Sequence, residues 1–205
     1  MALELTGDKP EFFDPFNGLQ DLAAKILRTP VRPGDSFNDD PLRMMRAARF
    51  ASQLNFEIAP EVLSSMKDLA HRISIISAER VRDEFTKIMM SANPRIGITL
   101  LVDSGLAEIV LPEIPKLRLE VDEHHHHKDV YEHSITVLEQ AIEHEDRLGG
   151  PNLVIRLAAL LHDIGKPKTR AFIEGGGVSF HHHEVVGARL AKKRLQALRF
   201  NNETI

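Results

Sequence analysis

Along most of this chain, apolar residues recur at the three-to-four-residue spacing of helices that bury one face. Leu19, Leu22, Ala23, Ile26 and Leu27 form one stripe and predict a helix over 18–27. Leu42, Met45, Ala48 and Phe50 form a second, running to about Leu54, with Asp40 as N-cap and Pro41 at the first helical position. Pro60 opens a helix to about His71, Ser77 caps one in which Val81, Phe85 and Ile88 repeat, and Pro94 starts one that Gly105 stops. Further helices are expected over about 129–146, 152–163 and 182–199. RTPVRPGDSF, before Asp40, reads as a connection. Two hairpins interrupt the helical pattern: MALEL and EFFDP flank the turn-forming Gly7-Asp8-Lys9-Pro10, and a short one is expected around Gly175–Gly177. A lone hairpin is marginal in water, so the first reads as the remnant of a larger sheet. Pro112 and Pro115 in LPEIPKLRLE mark the expected interdomain boundary. The fold class is therefore mainly α, with a short N-terminal β remnant.

Composition narrows the classes. The chain has 205 residues, 42% hydrophobic and 27% charged, an ordinary globular balance. It has no cysteine, which excludes a disulfide framework and a thiolate zinc site and fits a cytoplasmic location. No apolar run approaches the roughly 18 to 20 residues that span a bilayer, so no membrane partner is expected. The N-terminus lacks the layout of a signal peptide. Aromatics are 5%, with one Tyr and no Trp, which argues against bases stacking on an aromatic sheet. The net charge of −4 confines any nucleic-acid contact to local basic patches. The eleven histidines are the one compositional oddity, clustered at 124–127, 162 and 181–183. The run at 124–127 is read as a native solvated loop without a role. Nothing in the sequence sets the oligomeric state.

Asp39-Asp40-Pro41-Leu42-Arg43 places acceptors beside a planar fork of donors. That pairing matches the Watson–Crick edges of cytosine and adenine, which offer an amino group to a carboxylate and a ring nitrogen to a guanidinium. Uracil and guanine present the reverse pattern and leave buried polar groups opposed. The same residues also make a common helix cap with an ion pair. Arg46 and Arg49 continue a basic stripe that bottom-up is a solvated helix face.

Taken with DPFNGLQDL at 14–22, NDDPLRMMRAARF at 38–50 resembles the middle of the CCA-adding tRNA nucleotidyltransferase and bacterial poly(A) polymerase family. The resemblance implies that Asp40 and Arg43, with Asp39 where the family usually has Glu, form an amino-acid template for incoming CTP or ATP. Arg46 and Arg49 match positions near the triphosphate. Asp14, Gly18 and Asp21 match the motif ending the catalytic head. ISAERVRDEFTKIM at 76–89, with Glu79, Arg80 and Lys87, resembles a structural neck helix. The family's chemistry uses an Asp-x-Asp pair holding two Mg2+ ions, and no Asp-x-Asp occurs in these residues.

LVIRLAALLHDIGKP is nearly all apolar from Leu153 to Leu161 and then places His162-Asp163 at its end. Burying a His and a carboxylate is costly unless they pair or bind a metal. His133 falls on the inward face with Val130 and Val137, and two such histidines with an Asp suit a divalent metal. A capped helix with an internal pair is the plainer alternative. With the Gly-Lys-Pro stop, the arrangement resembles the HD phosphohydrolase superfamily, whose ligands run His, His-Asp, Asp. His133, His162 and Asp163 fill the first three, and FHHHE at 180–184 adds His183, with His182 as an alternative. The final Asp has no candidate before residue 205. The last helix carries Arg189, Lys192, Lys193, Arg194 and Arg199, either a tRNA-facing surface or a solvated basic face.

The resemblance implies a head remnant at 1–30, a nucleotide-selecting RNA-binding neck at 31–115 and an HD domain clipped at its C-terminus at 116–205. It implies a parent enzyme that adds CMP and AMP from CTP and ATP to a tRNA 3′ end. The alternatives are a poly(A) polymerase, a metal-dependent HD phosphohydrolase or phosphodiesterase, and a non-catalytic RNA-binding fragment. CCA addition is preferred because an HD domain in this position is familiar from CCA-adding enzymes. Without the carboxylate pair, the purified 205-residue chain is expected to add no nucleotide to a tRNA lacking its 3′ end. Labelled CMP or AMP appearing on that tRNA overturns the expectation.

Overall fold

The computed structural model describes residues 2–3, 12–119, 129–173 and 178–205. The turn at 6–10, His124–His127 and the Gly175–Gly177 turn lie outside them. β1 (Ala2–Leu3) pairs antiparallel with β2 (Phe12–Phe13), as the hairpin reading requires. The Asp14 carboxylate then accepts the N–H groups of Gly18 (2.8 Å) and Leu19 (2.7 Å), which opens α1 (Gly18–Ala24). Those bonds, the one from Leu19 foremost, hold the Asp14 carboxyl below its ordinary range.

α1 is shorter than the 18–27 expected. Lys25 takes the left-handed conformation at φ 57° and closes the helix. The chain turns into β3 (Ile26–Leu27), which pairs parallel with β4 (Glu57–Ile58). That tertiary pairing overrides the helical stripe, and it leaves Leu19 and Leu22 about half exposed. The connection before Asp40 is also helical: α2 (Pro33–Asp39) starts on Pro33, which suits a first helical position, and buries Phe37.

The helices that follow are α3 (Leu42–Leu54), α4 (Pro60–Leu69), α5 (Ala78–Met89), α6 (Pro94–Asp103) and α7 (Ala107–Val110). After these come α8 (Val130–Glu143), α9 (Leu153–Leu161), α10 (Lys166–Thr169), the antiparallel pair β5 (Ala171–Phe172) and β6 (Val178–Ser179), and α11 (His183–Ala197). α3 packs on α5 and α6, α2 on α4, α8 on α9, and α10 on α11. One continuous core runs from Phe37 to Phe200. Leu111, Ile114 and Leu117 are buried in it, so the segment around Pro112 and Pro115 is packed rather than slack.

A buried ion pair joins the two halves. Arg156, a lone charge in the apolar α9, forks onto Glu145 with bonds of 2.7 and 2.6 Å. Its remaining nitrogen, Nη1, donates to the carbonyls of Met89 (2.6 Å) and Ser91 (2.9 Å), just where α5 ends. Glu145 also accepts the Asn152 N–H at 3.0 Å, tying the turn that precedes α9. Every polar group here is satisfied, which is the condition for a buried pair to be tolerated.

Removing one partner strands the other in the core. Arg156→Met is expected to lower unfolding stability by about 3–5 kcal/mol in urea melts. The hydrogen bonds from Arg156 outweigh burial and hold the Glu145 carboxyl below its ordinary value. Its contribution is therefore present above about pH 4.5 and lost as pH falls below that. Melts between pH 7 and pH 3 should show a smaller acid loss in Arg156→Met than in the unaltered chain.

Candidate functional site

Two constellations emerge, one on the start of α3 and one where α8, α9 and α11 meet. At the first, Asp40 is extended (φ −143°, ψ 99°), Pro41 is already helical, and Asp40 Oδ1 accepts the Leu42 N–H at 3.2 Å. The Asp40 side chain thus bonds the first residue of α3, although Pro41 rather than Asp40 is the N-cap residue and the helix begins one residue later than expected. The Asp40 carboxylate turns toward α5, where Arg80 Nη2 lies 3.1 Å from Oδ2 and 3.4 Å from Oδ1. Arg43 donates to the Ser36 carbonyl and hydroxyl, both at 3.1 Å, and lies 3.8 Å from the exposed Asp39. A cavity of about 560 Å3 is lined by Asp39, Arg43, Arg46, Phe37 and Phe50 among others, with Asp40 not in its wall.

The basic stripe is not the solvated face that α3 alone implies. Arg49 is mostly buried and lies 2.9 Å from Glu84, a buried carboxylate on α5. Arg46 sits between Asp40 (3.8 Å) and Glu84 (3.9 Å), and Lys87 approaches Glu84 at 3.3 Å. The sequence reading missed Glu84. Its signal was a charge on the apolar stripe of Val81, Phe85 and Ile88.

At the second constellation, His133 comes from α8, His162 from the end of α9, and Asp163 from the turn that follows. His162 Nε2 lies 3.3 Å from His133 Nε2 and 3.1 Å from Asp163 Oδ2. His133 Nε2 is 3.7 Å from the same oxygen. His162 Nδ1 contacts the Ala159 carbonyl at 2.8 Å, and His183 Nδ1 contacts that of Phe180 at 2.9 Å. A carbonyl only accepts, so each Nδ1 carries a proton, and in the neutral ring each Nε2 then presents a lone pair. Donors about 2.0–2.2 Å from one divalent ion stand roughly 3–3.5 Å apart, close to the spacing found here. Asp163 Oδ2 is buried and has no aligned hydrogen bond, although Lys166 Nζ is 3.0 Å away. The three residues fit a divalent cation.

His183 reaches the other Asp163 oxygen, with Nε2 3.5 Å from Oδ1, while His182 is left-handed (φ 63°) and exposed ahead of α11. Burial alone would raise the Asp163 carboxyl, but His162 and Lys166 overcome it and hold the group at about 2. Burial likewise opposes charge on His162, and Asp163 outweighs it, so that imidazole is pushed up. Lys166 was read only as part of a helix stop, yet it is buried beside the cluster. Arg194 leaves the basic face, because it forks onto Glu113 at 2.8 and 2.9 Å.

Gly165 decides how closely α11 approaches. A Cβ there would lie 2.0 Å from the His183 carbonyl oxygen and 2.7 Å from the Gly187 nitrogen. Gly165→Ala must push α11, and His183 with it, away from Asp163. Isothermal titration with Mn2+ or Zn2+ is expected to show about tenfold weaker binding in Gly165→Ala, a supporting-shell effect. His162→Ala should abolish it. Unchanged affinity in His162→Ala would dismiss the cluster as a metal site.

Comparison with known proteins agrees with this arrangement. Residues 55–117 match the family model described as the probable RNA and SrmB-binding site of polymerase A, and residues 130–205 match the HD domain. The A-adding tRNA nucleotidyltransferase of Deinococcus radiodurans is 36% identical over 192 residues, covering 91% of this chain and 43% of that protein. The multifunctional CCA protein of Neisseria meningitidis is 37% identical over 194 residues, covering 92% and 44%. The chain thus spans less than half the length of these relatives. Among solved structures, a tRNA-processing enzyme complex aligns with TM-score 0.63 at 17% identity, covering 96% of this chain and 45% of its own. A CCA-adding enzyme with ATP aligns at 0.60 and 18%, covering 93% and 39%. At those identities the likeness concerns the fold. The chain thus carries, in order, the RNA-binding region of polymerase A and an HD domain, and over nine-tenths of its length it is similar to an A-adding tRNA nucleotidyltransferase and to multifunctional CCA proteins.

Proposed function

We propose that this chain is the base-selecting and RNA-holding part of an enzyme that adds C and A, or A alone, to tRNA 3′ ends from CTP and ATP. The observation that carries the reading is the sustained identity to an A-adding enzyme and to CCA proteins across nine-tenths of the chain. The polar start of α3 supports it: Asp39 and Arg43 border a cavity with an apolar wall, and Asp40 stands beside them. In this reading Arg43 donates to the ring nitrogen of cytosine or adenine, and a carboxylate accepts from the amino group. Arg46 and Arg49 lie on the triphosphate side, held by Glu84. Phosphoryl transfer with Mg2+ belongs to an Asp-x-Asp pair outside these residues. The division at 1–30, 31–115 and 116–205 follows the same reading, and the substrate points to the cytoplasm. Among the described residues no helix is long and apolar enough to cross a membrane.

A second reading, favoured by the His133–His162–Asp163 cluster, is a divalent-metal phosphohydrolase. A metal bound there would activate water or polarise a phosphoryl oxygen. Lys166, with Nζ 3.0 Å away, stands close enough to hold the Asp163 carboxylate in place.

The first reading is tested by expressing the full reading frame that encodes these residues and supplying tRNA lacking its 3′ end. CMP or AMP addition is expected, with Arg43→Ala losing about tenfold or more of the preference for CTP over UTP. No addition, or equal use of UTP before any substitution, would reject it. Turnover of a 2′,3′-cyclic nucleotide that His162→Ala abolishes would establish the second reading.

A further inference from the structure

α11 begins at the His–Asp cluster and is tied near its far end to a segment that neither base selection nor metal binding uses. Arg194 forks onto Glu113 with bonds of 2.8 and 2.9 Å, and both side chains are largely buried. Glu113 stands among Leu111, Ile114 and Leu117, all buried in the core, so its backbone cannot follow a moving partner. At the start of α11, His183 Nε2 faces Asp163 Oδ1 at 3.5 Å. Between the two ends Gly187 meets Gly165 backbone to backbone, and a Cβ on Gly187 would lie 3.4 Å from the Gly165 nitrogen. Gly187 is four residues after His183 and seven before Arg194, spacings that put all three on one face of the helix.

We propose that Glu113 and Arg194 are a positioning pair for the His–Asp cluster, setting the tilt of α11 and with it the distance of His183 from Asp163. The proposal rests on the reading of His133, His162 and Asp163 as a divalent-cation site. Two glycines in contact fix how closely α11 approaches, but without side chains to interlock they leave the helix free to rock. At the helical rise per residue, His183 lies roughly 6 Å to one side of that contact and Arg194 about 10.5 Å to the other. A rocking that moves Arg194 by about 1 Å therefore moves His183 by about 0.6 Å. Metal sites tolerate departures of only about 0.2 Å in ligand distance, and outer-shell partners that orient the ligands matter nearly as much. Apolar packing of Leu195 and Leu198 supports the same end of α11 but is non-directional. A bidentate fork is directional, and so fixes the tilt. Neither Glu113 nor Arg194 touches the cation; both act through His183.

The test is isothermal titration of Mn2+ into the 205-residue chain, run below the melting range that a thermal melt gives for each variant. His183→Ala is expected to weaken binding about tenfold, and Arg194→Met about fivefold. Glu113→Gln, which keeps the side-chain volume, should match Arg194→Met. The exchanged pair, Glu113→Arg with Arg194→Glu, should recover most of the loss by restoring the fork in reverse. In a His183→Ala background Arg194→Met should have no further effect on affinity, because its influence passes through His183. A general loosening of this half of the chain would instead weaken binding equally in both backgrounds, and that result rejects the proposal. Unchanged affinity in Arg194→Met and Glu113→Gln, with His162→Ala abolishing binding, rejects the pair and leaves the cation site standing. No binding of Mn2+ to the unaltered chain rejects both.

Discussion

The buried fork of Arg156 on Glu145 is the constraint on which the relation between the two halves depends. Hydrophobic contacts along α3, α5 and α8 are non-directional and tolerate sliding. A guanidinium that must satisfy a carboxylate and two specified carbonyls does not. Its bonds to Met89 and Ser91 fix α9 on the end of α5 at hydrogen-bonding precision. Because α5 carries Arg80 and Glu84 and α9 ends in His162 and Asp163, one interaction sets the register of both candidate sites. An apolar pair of equal volume would cost less to bury but would not specify that register.

The same device recurs at lower burial on the face of α3. Glu84 collects Arg46, Arg49 and Lys87, and Asp40 collects Arg80 and Arg46, so Arg46 is shared between the two acids. Except for the mostly buried Arg49–Glu84, these pairs have an exposed partner and contribute little to stability by themselves. Their effect is geometric, because long arginine side chains that would sample many rotamers are confined beside the cavity bordered by Asp39 and Arg43. The arrangement suits recognition of a charged planar ligand, since its donors are ordered before any ligand arrives.

The His–Asp cluster is assembled in the opposite way, from close backbone approach. Gly165 admits α11 so near that no side chain fits between, and Gly187 meets it from the other side. Each of His162 and His183 has its Nδ1 tied to the carbonyl three residues before it, so the ring nitrogens facing Asp163 are set by local backbone. The tautomers that suit a cation are thus a property of helix and turn geometry, settled before a metal binds.

Much of the layout was legible in sequence because the signals were local. Proline at the first position of α4 and α6 and the spacing of Val81, Phe85 and Ile88 each act within a few turns of chain, whereas the order His133, His162-Asp163, His183 spans fifty residues and was readable only through the family resemblance. DPFNGL was legible only as a turn: the bonds from Gly18 and Leu19 to Asp14 were not, and the left-handed residue is Asn17 (φ 54°) rather than Gly18. What the sequence alone could not determine was every partner far along the chain. The β3–β4 pairing that shortens α1, the turn of Asp40 toward Arg80, the capture of Arg49 by Glu84 and of Arg194 by Glu113, and the fork of Arg156 all join residues 29 or more positions apart or depend on packing from another helix, save for Glu145 only eleven away. A local pattern fixes which face of a helix is apolar. It carries no record of which charge stands opposite, and only tertiary packing, through the cost of burying a charge unpaired, decides that.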